Sequence, residues 1–132
     1  MKRSYLCPHC QAKLNPNVKI ILRAELDDQR GLFLFSPMPG NYDVILPDGF
    51  QIRKKDRVTF ACPACGHALT SVHDDTLAEI RFVSDSGTKG IVAFSRVFGR
   101  HATYFITEEQ VQSYGEDAEP KGMNFFGVGP DT

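Results

Sequence analysis

Four cysteines occur in the chain, and all four fall in two Cys-Pro-x-Cys turns, Cys7-Pro8-His9-Cys10 and Cys62-Pro63-Ala64-Cys65. A Cys-x-x-Cys turn brings two sulfurs close enough to share one ion, and two such turns supply the four thiolates that Zn²⁺ takes at about 2.3 Å. The proline after each first cysteine stiffens the turn and removes a donor that is not needed there. Gly66 follows the second pair and can adopt positive φ, letting backbone N–H groups turn toward sulfur. Gln11 stands at the same place after the first pair, which makes that turn the less ideal of the two.

The flanks repeat with the cysteines. Residues 5–14, YLCPHCQAKL, align with residues 60–69, FACPACGHAL, at a constant offset of 55, matching an aromatic, both cysteines, the proline and a closing leucine. Two knuckles facing each other across one ion are expected. In this respect the chain resembles the zinc-ribbon and rubredoxin-like superfamily, whose C-P-x-C-G knuckles hold Zn²⁺ or, in rubredoxins, iron. The resemblance implies that Cys7, Cys10, Cys62 and Cys65 are metal ligands, and it covers about twenty residues. The 51 residues between Cys10 and Cys62 exceed what an ordinary ribbon carries, so an inserted β unit is expected.

Other uses of the cysteines fit less well. Structural disulfides belong to oxidising compartments, and the start MKRSYL leads into Cys-Pro-His-Cys without the apolar stretch of a secretory signal. A thioredoxin-like pair opens a helix in an alternating β and α chain, and neither pair has that setting. Zinc is therefore the expected metal, with iron as the alternative. The histidines are not needed as ligands: His9 and His67 sit in the knuckles, His73 in a loop, and His101 at a strand start beside Arg100, Thr103 and Tyr104, a cluster suited to a small anion. Four thiolates leave no open position for a catalytic water, and no P-loop, Gly-x-Gly-x-x-Gly, His-Glu-x-x-His or Gly-x-Ser-x-Gly occurs, so no enzyme activity is expected.

The elements that would carry the knuckles read as mainly β. At 132 residues the chain fits a single domain small enough for a metal staple to matter. Alternation predicts a strand over 18–26, a two-faced apolar strand at 32–35, a short strand over 42–46, and strand-like pieces at 50–53 and 58–61. After the second knuckle, alternation at Ala78, Ile80 and Phe82, a turn at 85–89, a return over 90–98 and a strand over 101–106 predict a three-strand meander. Thr107-Glu108-Glu109-Gln110 matches a capping box, and Gly115 is a stop signal, so a short helix is expected with Val111 and Tyr114 on its buried side. The expected organisation is one domain over 1–115, with knuckles at 5–14 and 59–69, an inserted β unit at 18–58, a meander plus helix at 77–115, and a loose tail at 116–132.

Charge narrows the partners. Residues 1–65 carry ten basic and six acidic side chains, residues 66–132 five basic and ten acidic, and the chain as a whole is at −1. General polyanion binding does not fit that balance, and no apolar run is long enough to span a membrane. The cytoplasm is the expected compartment and another protein the expected partner. The basic stretch Arg53, Lys54, Lys55 and Arg57, with Lys13 and Lys19, keeps nucleic acid as an alternative. Phe125 and Phe126 stand out in the tail, as a strap against the sheet or a docking segment for the partner.

Overall fold

The computed structural model describes residues 3–118, and within them every regular element is a strand. A five-stranded antiparallel sheet holds β1 (Arg3–Leu6), β6 (Leu77–Ser84), β7 (Lys89–Ser95), β8 (Thr103–Ile106) and β9 (Val111–Tyr114), in the order β1-β6-β7-β8-β9. A four-stranded antiparallel sheet holds β2 (Ile20–Leu26), β3 (Gln29–Phe35), β4 (Val44–Ile45) and β5 (Thr59–Ala61), in the order β4-β3-β2-β5. No helix long and apolar enough to cross a membrane occurs among the described residues.

Period-2 patterning places the core. On β2 the residues Ile20, Leu22 and Ala24 are buried, and on β6 so are Ala78, Ile80 and Phe82. These two faces join Phe33, Phe60, Val92 and Phe105 in one apolar cluster that draws on both sheets. Phe33 meets Phe50 and Phe60 edge-on at centroid distances of 4.9 and 5.9 Å, the offset geometry that aromatic quadrupoles favour. A second cluster, Leu77, Ala93, Tyr104 and Ile106, lies on the opposite face of the five-stranded sheet.

The expected meander is present as β6, β7 and β8, in register Ile80↔Val92↔Phe105. Its turn is tied by Ser84, which takes the N–H of Gly87 on its carbonyl and that of Thr88 on its hydroxyl. The expected strand at 18–26 begins at Ile20, and the turn after it is tighter than expected: Asp27, at φ 54°, and Asp28 alone connect Leu26 to Gln29. Residues 50–53 are not a strand.

The expected helix at 107–115 is not formed. Residues 107–110 are a hairpin turn and Val111–Tyr114 is β9, paired Ile106↔Val111 through Thr103↔Tyr114. Thr107 makes the bonds a capping box promises, its hydroxyl accepting from the N–H groups of Glu109 and Gln110, but its own N–H donates to the carbonyl of Gln110 and so closes a turn. A two-turn helix would have left the edge of β8 unpaired, whereas β9 covers it. Gly115 ends the strand at φ 98°, where a side-chain carbon would collide with the His101 carbonyl and the Tyr42 hydroxyl. Of the tail expected at 116–132, the described residues 116 and 117 bond to His101. Asp117 donates its N–H to the His101 carbonyl and accepts the His101 N–H on its carboxylate, and Glu116 meets His101 Nδ1 at 3.1 Å. Phe125 and Phe126 lie outside the described residues.

Candidate metal centre

The knuckles sit where the chain passes from one sheet to the other. From β1 of the five-stranded sheet it runs through Cys7–Cys10 to β2 of the four-stranded sheet, and from β5 it runs back through Cys62–Cys65 to β6. Strand-like bridges close both passages, Leu6↔Lys13 in the first and Ala61↔Ala68 in the second, and Thr70↔Ala78 carries the second into β6. Asn15 secures the first by accepting from the Tyr5 N–H at 2.8 Å and donating to the Arg3 carbonyl at 2.9 Å.

The offset of 55 seen in the sequence holds bond for bond. Gln11 donates to the Cys7 carbonyl at 3.0 Å and Gly66 to that of Cys62 at 2.8 Å; Cys7 donates to Ala12 at 3.0 Å and Cys62 to His67 at 3.1 Å. Leu14 donates to the Tyr5 carbonyl, and Leu69 to that of Phe60. The N–H groups of His9 and Cys10 point at Cys7 Sγ from 3.3 and 3.5 Å, and those of Ala64 and Cys65 at Cys62 Sγ from 3.3 and 3.4 Å. Gln11 takes φ 66° where Gly66 takes 76°, so the first turn keeps its shape although an L-residue there is strained by about 1 kcal/mol.

The four sulfurs converge. All Sγ atoms lie within 4.8 Å of one another, with Cys7 to Cys65 at 3.8 Å and Cys10 to Cys62 at 3.7 Å. A tetrahedron with arms of about 2.3 Å has edges of about 3.8 Å, so the quartet has the size of a four-thiolate site and could hold a metal ion. Cys7 and Cys62 are buried and Cys10 and Cys65 exposed, so the cluster faces the core with one sulfur of each knuckle and solvent with the other.

Without an ion these sulfurs resist sharing negative charge. Burial acts most strongly on Cys62 and opposes its ionisation, but the N–H groups of Cys65 and Ala64, with the thiols of Cys10 and Cys7, outweigh it and bring Cys62 down to about 7. At Cys10 the Ala12 N–H favours the thiolate, yet desolvation and the three neighbouring sulfurs push it up to about 12. Cys7 is raised, chiefly by burial. Cys62 thus ionises more readily than Cys7 or Cys10, and a divalent cation is what would draw the protons off those two.

Two features around the sulfurs were not legible in the sequence. His9 and His67 stack across the cluster with ring centroids 3.5 Å apart, although they occupy non-equivalent positions in the two knuckles. Arg23, a solvent-side residue of β2 by alternation, is paired with Ala61 in register, and its guanidinium nitrogens lie 3.8 and 3.9 Å from where a side-chain carbon on Gly66 would stand. A cation beside the second knuckle suits a cluster that carries two net negative charges when loaded with zinc. The Arg23 Nε atom is buried without a hydrogen-bond partner.

The basic stretch Arg53 to Arg57 is a turn clasped to the loop after β7. Lys55, at φ 76°, donates to the Phe98 carbonyl at 2.9 Å, Phe98 donates back to that of Asp56 at 2.8 Å, and the Arg57 guanidinium meets Asp75 at 4.0 Å. His101 stacks on Tyr42 at 4.4 Å and engages Glu116, so the anion cluster expected around it already holds a carboxylate.

No protein-family model matches the chain, and no curated protein or solved structure shows significant similarity to it.

Proposed function

We propose that this is a zinc-binding protein whose Zn(Cys)₄ centre, held by Cys7, Cys10, Cys62 and Cys65, is structural and whose sheets serve as a protein-recognition platform. The convergence of four sulfurs from two matching knuckles, with edges of 3.7 and 3.8 Å, carries this reading. Four thiolates close the coordination shell, so the metal's role is to join the two crossings between sheets rather than to activate water. In this light the knuckles are zinc-ribbon-like, with an entire sheet inserted between them.

The platform is supported by the outer face of the four-stranded sheet. Ile21, Leu34 and Ile45 lie side by side across β2, β3 and β4, with Leu32 two residues from Leu34 on the same face. Leu32 and Ile45 are 47% and 52% exposed. A row of apolar side chains across three strands favours contact with another protein over nucleic acid, which would be met by cations. The sequence marked Leu32 to Phe35 as apolar on both faces, and this outer row is the second face.

Metal analysis of protein purified without added metal, together with its absorption spectrum, tests the proposal. One zinc per chain and a colourless solution are expected. Red protein with one iron and reversible one-electron chemistry would instead assign a rubredoxin-like carrier, and metal-free folded protein would refute both.

A further inference from the structure

Between the two sheets lies a cavity of about 360 Å³ that the metal centre does not use. Phe33, Phe35 and Phe60 wall it from the four-stranded side and Ile80, Phe94 and Phe105 from the other. Packed interiors hold few voids larger than a water molecule, and an apolar cavity of about 150 Å³ already takes up benzene. A space more than twice that size, lined by aromatic rings, has the volume of a small-molecule pocket.

Its charged lining is of one sign. Lys54, Arg96, Arg100 and His101 line it, and among the described residues no aspartate or glutamate does. Lys54 and Arg100 also border a shallower depression beside Glu116 and Asp117, so the cations mark the rim where cavity and surface meet. Most polar groups of the wall are engaged: Tyr5 Oη donates to the Pro37 carbonyl at 2.7 Å, Tyr42 Oη to that of Tyr114 at 2.9 Å, and Arg96 Nε to that of Val58 at 2.9 Å. Lys54 is exposed and has no ion pair among the described residues. The clasp between residues 53–57 and the loop after β7 fixes its backbone at the rim.

We propose that this cavity binds a small amphiphilic anion, a carboxylate with an apolar tail of about ten to twelve carbons, its tail between the sheets and its head at Lys54. The length follows from volume: at the density of benzene in an apolar cavity, 360 Å³ admits about fourteen non-hydrogen atoms. Charge complementarity selects the anion, and the mainly apolar wall selects the apolar tail.

The test is calorimetric titration of the full-length, zinc-loaded protein with octanoate, decanoate, dodecanoate and tetradecanoate, each below its micelle concentration, and with decanol as the neutral counterpart. Saturable one-to-one binding is expected, tightening about fourfold per methylene until the cavity is filled and then levelling off. At low salt decanoate should bind about fivefold tighter than decanol. The Lys54→Gln variant should remove that preference while leaving decanol unaffected, and Val44→Phe, which narrows the cavity from β4, should abolish binding of both. Should Val44→Phe fail to fold, the chain-length series and Lys54→Gln still decide. The proposal is overturned by absence of saturable binding. It is equally overturned by affinity that keeps rising through tetradecanoate, or by a carboxylate preference that survives Lys54→Gln.

Discussion

Replacing Cys65 by serine should remove the staple with little other disturbance, because Cys65 is exposed whereas Cys62 is buried. The centre ties residues 7 and 10 to residues 62 and 65, closing a loop of about 55 residues. Treated as a cross-link, such a loop removes about 14 cal/mol/K of entropy from the unfolded chain, or about 4 kcal/mol at 25 °C. That is a large part of the roughly 5–15 kcal/mol by which a domain is stable. Urea unfolding of the zinc-loaded protein, of the same protein with a strong chelator, and of Cys65→Ser with and without chelator measures it. We expect chelation and Cys65→Ser each to lower stability by about 4 kcal/mol, and chelation of Cys65→Ser to add almost nothing, because both remove one cross-link. Additive losses, or a Cys65→Ser protein as stable as the parent, would refute the reasoning.

Other expectations follow from single residues. Gly115→Ala should destabilise by about 2 kcal/mol or more in thermal unfolding, since it strains φ 98° and collides with the His101 carbonyl and Tyr42 hydroxyl. Arg23→Gln should weaken zinc retention by up to about tenfold in competition with a chromophoric chelator, with the loss shrinking in high salt. Burial raises the Tyr5 phenol above its ordinary value of 10. Its contribution to stability is therefore present below pH 10 and lost as the pH rises through the raised value; Tyr42 is raised by burial too, so Tyr5→Phe should reduce the late phase of the alkaline absorbance titration at 295 nm by one tyrosine and leave the share of Tyr42.

The part of this fold legible in the sequence is the part dictated by local chemistry. The two knuckles repeat because each must aim N–H groups at sulfur, and a repeated task leaves a repeated pattern, including the positive φ that Gln11 adopts in place of glycine. The hairpin of β6 and β7 was legible because β6 alternates and the turn residues around Gly87 send the apolar run after them back along it. The sequence misled at 107–115, where Thr107 makes the same hydroxyl-to-N–H bonds in a hairpin turn as at a helix start, and only the unpaired edge of β8 decides between them. Long-range choices left no local mark. The pairing of β1 with β6, the passage of both knuckles between sheets, and the approach of Arg23 to Gly66 depend on segments tens of residues apart.

X-ray absorption at the metal edge of protein purified without added metal tests the central claim most directly. A zinc edge with a single shell of four sulfurs at about 2.3 Å is the predicted result, lost in Cys62→Ser. A shell containing nitrogen or oxygen, or no bound metal in folded protein, would contradict it.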